Sequence, residues 1–128
     1  MLPMNTDWFR DAAVTTYVAE RGGRLTGFAM LAVYPDAPVP KGAGPLVSEL
    51  LAIGVEPGLQ TRGIGGRLLD HCLAVVSDPG AGVREMRLSV AEGNARGRRL
   101  FASRGFRVWE GYAVYPAGQR ALMMRRFT

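Results

Sequence analysis

The sequence holds little cysteine and little histidine, and each shortage excludes a class of chemistry. Cys72 is the only cysteine, so neither a disulfide framework within the chain nor a cysteine-based metal site can form. The single histidine, His71, sits beside it in a helical pattern. Neighbours on a helix project about 100° apart, so these two cannot make a metal pair alone. Both read as structural, and no metal is expected. Long apolar runs are also missing. Nothing approaches the roughly 20 apolar residues of a membrane-spanning helix. Met1-Leu2-Pro3-Met4-Asn5 carries no basic leader region. The expectation is no membrane partner and a cytoplasmic location.

Lysine is scarce as well. Nearly all of the 16 basic residues are arginine, and they face 11 acidic ones for a formal charge of +5. Such a balance suits an anionic partner, either nucleic acid or a phosphorylated small molecule, or simply a mildly cationic surface. Arginine forks match phosphate oxygens in pairs, which favours the phosphate reading.

What is present fits one compact unit. A chain of 128 residues that is 48% apolar can build a single core, so 1–128 is read as one domain. Ala13 to Glu20 and Leu25 to Tyr34 are apolar and β-branched runs flanking Gly22-Gly23, which predicts a β-hairpin. A Pro/Gly-rich connector from Pro35 to Pro45 follows, either a plain linker or the border of a substrate groove. Ser48 to Val55 reads as a buried strand. Ile64, Leu68, Leu69, Cys72, Leu73 and Val76 then form one helical stripe between Gly63 and Ser77. Glu85 to Ala91 alternates as a strand. Asn94 suits the N-cap of a short helix through Ala102. Phe106–Tyr115 and Arg120–Phe127 are two closing strands. The order β-β-β-α-β-α-β-β predicts an α/β domain with a mixed sheet. Its central βαβ piece should be parallel, and the hairpin before it antiparallel.

Gln60-Thr61-Arg62-Gly63-Ile64-Gly65-Gly66 lies between a predicted strand and a predicted helix. Glycines allow close approach of a ligand to the backbone. The first helical turn adds free N–H groups and the positive end of the helix dipole. Together these favour phosphate or pyrophosphate, with Arg62 and Arg67 as added charge. A bare structural turn is the plain alternative. A Rossmann site would need Gly-x-Gly-x-x-Gly opening the first βαβ unit, but Leu68 fills the last position and a hairpin comes first. A P-loop would need Gly-Lys-Ser/Thr, which is absent.

These residues resemble the GNAT family of N-acetyltransferases. Val55-Glu56-Pro57 followed by Gln60-Thr61-Arg62-Gly63-Ile64-Gly65 is similar to its signature. Leu88-Ser89-Val90, Asn94, Leu100-Phe101 and Gly105-Phe106 are similar to a second family element downstream. The resemblance covers about residues 13–128. It implies a mixed, mostly antiparallel sheet around a central β-α-β-α unit. It also implies acetyl-CoA as cosubstrate. Amides of Gln60, Thr61, Arg62, Gly63, Ile64, Gly65 and Gly66 would hold the pyrophosphate. Backbone groups of Ile53 and Val55 would pair with the pantetheine arm, in a slot where two strands diverge. Asn94 would meet the pantetheine or its sulfur end, and Phe101 would line that site. The Val55 amide would support an oxyanion.

The implied reaction is direct attack of a primary amine, on a small molecule or peptide, upon the thioester. An ammonium has a pKa of about 10.4 and must lose a proton first. Glu49 is the candidate general base: its separation from Gln60 resembles that of the catalytic glutamate in the histone-acetylating branch of the family, and its apolar flanks Leu46, Val47, Leu50 and Leu51 should also raise its pKa. A solvent-facing or arginine-paired glutamate is the alternative. The family's usual tyrosine acid is replaced by Phe101. Tyr112 is the candidate stand-in, with Tyr115 or Ser103 behind it. Thiolate is a tolerable leaving group even unaided, with a pKa of about 8.5. Arg96, Arg98 and Arg99 read as a solvated helix face or as contacts to the adenosine 3′-phosphate. Nucleic acid is not the expected partner, because aromatic residues do not interleave with this cluster. The family's usual N-terminal strand and helices are mostly missing, since only Met1–Ala12 precede the hairpin. That leaves the acceptor groove open, completed by a partner chain, or lost. A late strand offers an edge for a homodimer. The alternative function is a non-catalytic acyl-CoA-binding or sensor domain, which Phe101 and the short N-terminus favour.

Overall fold

A computed structural model describes residues 13–36, 45–114, 118 and 120–128, with backbone alone at Ala13 and at 110–114. Most of the Pro/Gly-rich connector and Tyr115 lie outside the described residues, as do residues 1–12. β1 (Ala13–Arg21) and β2 (Arg24–Pro35) form the expected antiparallel hairpin. Gly22 and Gly23 turn it, with φ of 60° and 78°. A two-residue turn with both φ positive matches the twist of the flanking strands, and glycine adopts it without strain.

β3 (Leu46–Val55) returns antiparallel to β2. A one-turn 3-10 helix at Pro57–Leu59 leads into α1 (Ile64–Ser77). β4 (Val83–Ala91), α2 (Ala95–Ser103), β5 (Arg107–Val114) and β6 (Arg120–Phe127) complete the chain. The six strands form one sheet in the order β1-β2-β3-β4-β6-β5. Among the described residues, β3 and β4 are the one pair that runs parallel, as the βαβ reading expected. The last two strands pair antiparallel, but β6 is inserted between β4 and β5. Local sequence carries no signal for that insertion, because it depends on which strand fits beside β4.

The core lies between α1 and one face of the sheet. All six residues of the predicted stripe are buried, together with Ala29, Leu31, Leu50, Met86, Leu88, Val90, Leu122 and Met124. The opposite face carries polar groups at the middle of the sheet. There Ala32, Glu49 and Arg87 are neighbours across β2, β3 and β4. Asn94 caps α2 as expected, its Oδ1 accepting the Gly97 N–H at 3.0 Å.

Gly27 sets the height of α1 above the sheet. A Cβ there would lie 2.8 Å from the Gly54 carbonyl oxygen, 3.1 Å from Leu68 Cδ1 and 3.2 Å from Ile64 Cγ2. The carbonyl belongs to a paired strand and cannot yield, so the first turns of α1 approach the sheet only because this side chain is missing. Gly27→Ala is expected to cost about 1–3 kcal/mol through overpacking, read as a lower denaturation midpoint in urea. An unchanged midpoint would show that α1 moves away at no cost.

Candidate active site

The site begins where two strands separate. β3 and β4 pair from Leu46 opposite Val83 to Leu50 opposite Leu88, with one register shift between Leu46 and Ser48. Beyond that point they run on to Val55 and Ala91 without further pairing between them. A cleft of about 270 Å³ opens in the gap, lined by Ile53, Val90, Asn94 and Phe101 among others. The Glu56 N–H donates to the Thr26 carbonyl at 2.9 Å. In an antiparallel ladder, successive residues turn their main-chain groups alternately toward and away from the partner strand. Gly54, like Glu56, therefore faces β2. Ile53 and Val55 turn their N–H and C=O groups toward the gap.

The gap continues into a groove of about 680 Å³ that shares Ile53, Asn94 and Phe101 with it. One wall is the glycine turn, with Gln60, Gly63, Gly65 and Gly66. Gly63 caps α1 with φ 77°, no side chain caps that end, and the first turn has no acidic residue. The Arg67 N–H donates to the Gly63 carbonyl at 3.1 Å. The preceding N–H groups of the first turn have no intrahelical acceptor. Free amides at the positive end of a helix, with no carboxylate beside them, form an anion site.

The structure divides the expected residues by where their side chains go. Gln60 lines the groove, and its Oε1 accepts a hydrogen bond from Arg96 Nη1 at 3.1 Å. Ile64 turns its side chain into the core. Arg62 and Arg67 border a different cavity, of about 770 Å³, along with Tyr17 and His71. Thr61 is exposed and lines neither the gap nor the groove. Of the three helix arginines weighed for a phosphate, Arg96 faces the groove. Arg98 and Arg99 line a separate cleft with Phe106 and Val108. Asn94 lines both gap and groove. Its Oδ1 is committed to the cap, so its Nδ2 is the group it offers inward. Phe101 is 5% exposed and packs edge-on against Phe106, with ring centroids 5.9 Å apart. Ser103 donates to the Leu100 carbonyl at 2.6 Å and lines neither the gap nor the groove. Tyr112 lies opposite Leu122 in β5, and its side chain is outside the described residues.

Glu49 stands one residue before the strands part. Tyr34 Oη donates to its Oε1 at 3.1 Å. Burial raises the carboxyl above the ordinary range, partly offset by the Tyr34 hydrogen bond and the charge of Arg87. Tyr34 is itself pushed up to about 12, first by burial and then by the neighbouring carboxylate, so it remains a donor. Arg87, opposite Glu49, is engaged elsewhere. Its Nη2 pairs with Asp36 Oδ1 at 2.8 Å and Glu85 Oε1 at 2.9 Å, and its guanidinium lies 4.7 Å from the Trp109 ring centre. Two carboxylates share this cation, and its pull on Glu49 is smaller than the effect of burial. Neither Tyr34 nor Arg87 stood out in the sequence. The register of β2 and β4 against β3 brings them together, and no short motif encodes it.

The family profile described as acetyltransferase (GNAT) family matches residues 1–106. The chain is 32% identical over 108 residues to the mycothiol acetyltransferase of Thermobispora bispora, covering 84% of this chain and 34% of that protein. It therefore spans about a third of the length of the curated relatives it matches. Among solved structures, Arabidopsis thaliana NAA60 in complex with a bisubstrate analogue superposes with a TM-score of 0.75 at 17% identity, covering 90% of this chain and 76% of that one. The ribosomal-protein-S18-alanine N-acetyltransferase of Escherichia coli gives 0.71 at 24% identity, covering 89% and 68%. The overall fold is thus a known one, and the chain belongs to the GNAT acetyltransferase family.

The Tyr34–Glu49 contact has a measurable consequence. Tyr34→Phe removes a hydrogen bond that favours the carboxylate, so the Glu49 pKa should rise further. A carbon-13 NMR titration of labelled glutamate would show it. An unchanged midpoint would mean that burial and Arg87 alone set the value.

Proposed function

We propose that this chain binds acetyl-CoA along the gap and groove and transfers the acetyl group to a primary amine of a small molecule or peptide, with Glu49 as general base. The observation that carries this reading is the course of the groove. It starts at unpaired main-chain groups of Ile53 and Val55 and ends at the uncapped first turn of α1. That order suits a ligand with an amide-bearing arm at one end and a pyrophosphate at the other. The arm would add to β3 as an extra strand, and the phosphates would meet the amides of Gly63 to Gly66. Asn94 Nδ2 and the Phe101 ring would border the sulfur end.

The chemistry then falls to a few groups. Glu49 accepts the proton that the incoming ammonium must lose, and its raised pKa brings it closer to the working pH as a base. Tyr34 keeps its own proton and holds the carboxylate in place. The Val55 N–H, aimed into the gap, donates to the carbonyl oxygen as negative charge develops there. Phe101 has no proton to give, so the thiolate leaves unassisted or takes a proton from Tyr112. The likeness to mycothiol acetyltransferases makes the acceptor of those enzymes the first one to try.

Thiol release from acetyl-CoA across a panel of amines tests the reading. Binding without release would indicate an acyl-CoA-binding domain instead. Glu49→Gln should lower turnover by about a hundredfold or more while leaving acetyl-CoA affinity unchanged. Wild-type turnover should fall as pH drops through the raised Glu49 pKa, and that limb should vanish in the variant. A variant with wild-type turnover would remove Glu49 from the mechanism. Gly65 supplies a cleaner probe of the groove than Gly63, whose positive φ would strain any replacement. A Cβ at Gly65 meets only Val55 Cγ2 at 3.7 Å and Leu100 Cδ2 at 3.8 Å, both ordinary contacts. Gly65→Leu should therefore block acetyl-CoA binding with little change in Tm. Retained affinity would place the phosphates elsewhere.

A further inference from the structure

We propose that Arg104 is a phosphate ligand of the groove, gripping the pyrophosphate of the cosubstrate from the side facing the first turn of α1. The inference rests on the coenzyme reading above and adds a residue that no sequence motif singled out. Arg104 follows α2 as its C-cap residue. Its side chain crosses to α1, where Nε meets Asp70 Oδ1 at 3.0 Å and Nη2 meets Asp70 Oδ2 at 3.2 Å. Nη1 donates to Ser103 Oγ at 3.0 Å. A guanidinium has five N–H bonds. Three are engaged by these contacts, which leaves one on each Nη for a further acceptor.

The placement of those two N–H groups is set by Gly66. A Cβ on Gly66 would lie 2.6 Å from Arg104 Nη2 and 3.4 Å from its Cζ. The space that a side chain would fill at the third residue of α1 is filled by the guanidinium. Gly66 therefore makes room for Arg104, whose guanidinium packs against the first turn of α1. Both residues line the same groove. Among its described lining residues no carboxylate appears, and the only charged ones are Arg96 and Arg104. Arg96 contacts the neutral Gln60 from the same helix. Asp70 balances the charge of Arg104, so the wall's contribution is the cation of Arg96 and the two uncommitted N–H bonds of the Arg104 fork, opposite a turn of unsatisfied N–H donors, and such a planar fork suits the oxygens of a pyrophosphate.

Asp70 acts as the aiming group. Its side chain is 56% exposed, so the pair contributes little to stability. The Arg104 hydrogen bond lowers the Asp70 pKa, so Asp70 is charged throughout the working range. Two parallel bonds to a fixed helix hold the fork in one orientation before any ligand arrives, which reduces the ordering cost of binding.

Calorimetric titration with CoA and with 3′-dephospho-CoA tests the assignment in wild type, Arg104→Ala, Arg104→Lys and Asp70→Asn. Arg104→Ala should weaken both ligands alike by about ten- to a hundredfold, the range for hydrogen bonds to charged groups. Arg104→Lys should recover part of the loss. Asp70→Asn breaks the same clasp but keeps the cation, so its loss should be far smaller. If the clasp only ties α2 to α1, Arg104→Ala and Asp70→Asn will lower Tm together and leave affinity unchanged, which overturns the proposal. A loss for CoA but not for 3′-dephospho-CoA overturns it too, since the contact is then to the 3′-phosphate. A wild-type chain that binds neither ligand overturns the coenzyme reading itself.

Discussion

The structure turns on the point where β3 and β4 stop sharing hydrogen bonds, at Leu50 and Leu88. A sheet that opens in its middle leaves main-chain groups without partners, and such groups are costly unless water or a ligand takes them up. The opening survives because each strand stays paired on its other side. β3 is bonded to β2 as far as Val55, and β4 to β6 as far as Ala91. α1 then packs across the base of the opening through Ile64, Leu68 and Leu69. Its N-terminus comes to rest beside the gap, and the missing Cβ of Gly27 sets how close it comes. The slot, the anion site and the candidate base beside the fork are three results of one departure from regular pairing.

Much of this was legible in the sequence, for definite reasons. The α1 stripe is visible because a helix on a sheet buries every third or fourth residue, and Ile64 through Val76 obey that rule. The hairpin is visible because Gly22-Gly23 permits only a few turn geometries. The glycine turn is visible because what it presents to the groove is backbone, which leaves glycine as the trace. Side-chain destinations were not legible. Arg62 is next to the turn in sequence, yet it points to another flank of α1, while Arg96, distant in sequence, points into the groove. Tyr34, Arg87 and Arg104 reach their places through strand register and helix docking. Both are long-range properties that no window of sequence contains.

The charged groups near Glu49 show how one cation can be present without dominating. Glu85 is fully buried, and Arg84, Arg87 and Arg125 all lie within ion-pair distance of it. A buried carboxylate is tolerable only in such company. Arg87 is drawn toward Glu85 and Asp36 and stacks near Trp109. Glu49 is left with a hydroxyl as its direct partner and with burial as the main influence on its charge. The arrangement leaves the Glu49 carboxylate without a direct cationic partner on a face that carries several arginines.

Recognition through main-chain groups has a further meaning for how this site tolerates change. The N–H and C=O of Ile53 and Val55 are the same whatever side chains those positions carry, so apolar exchanges there leave the donor slot intact. The glycine turn has no such freedom, because its contribution is the absence of side chains. The face around Glu49 and Tyr34 differs in kind, since what it presents is side-chain atoms. If the donor is held as proposed, a new acceptor can be reached by exchanging side chains on one face of the sheet while the other half of the site stays as it is.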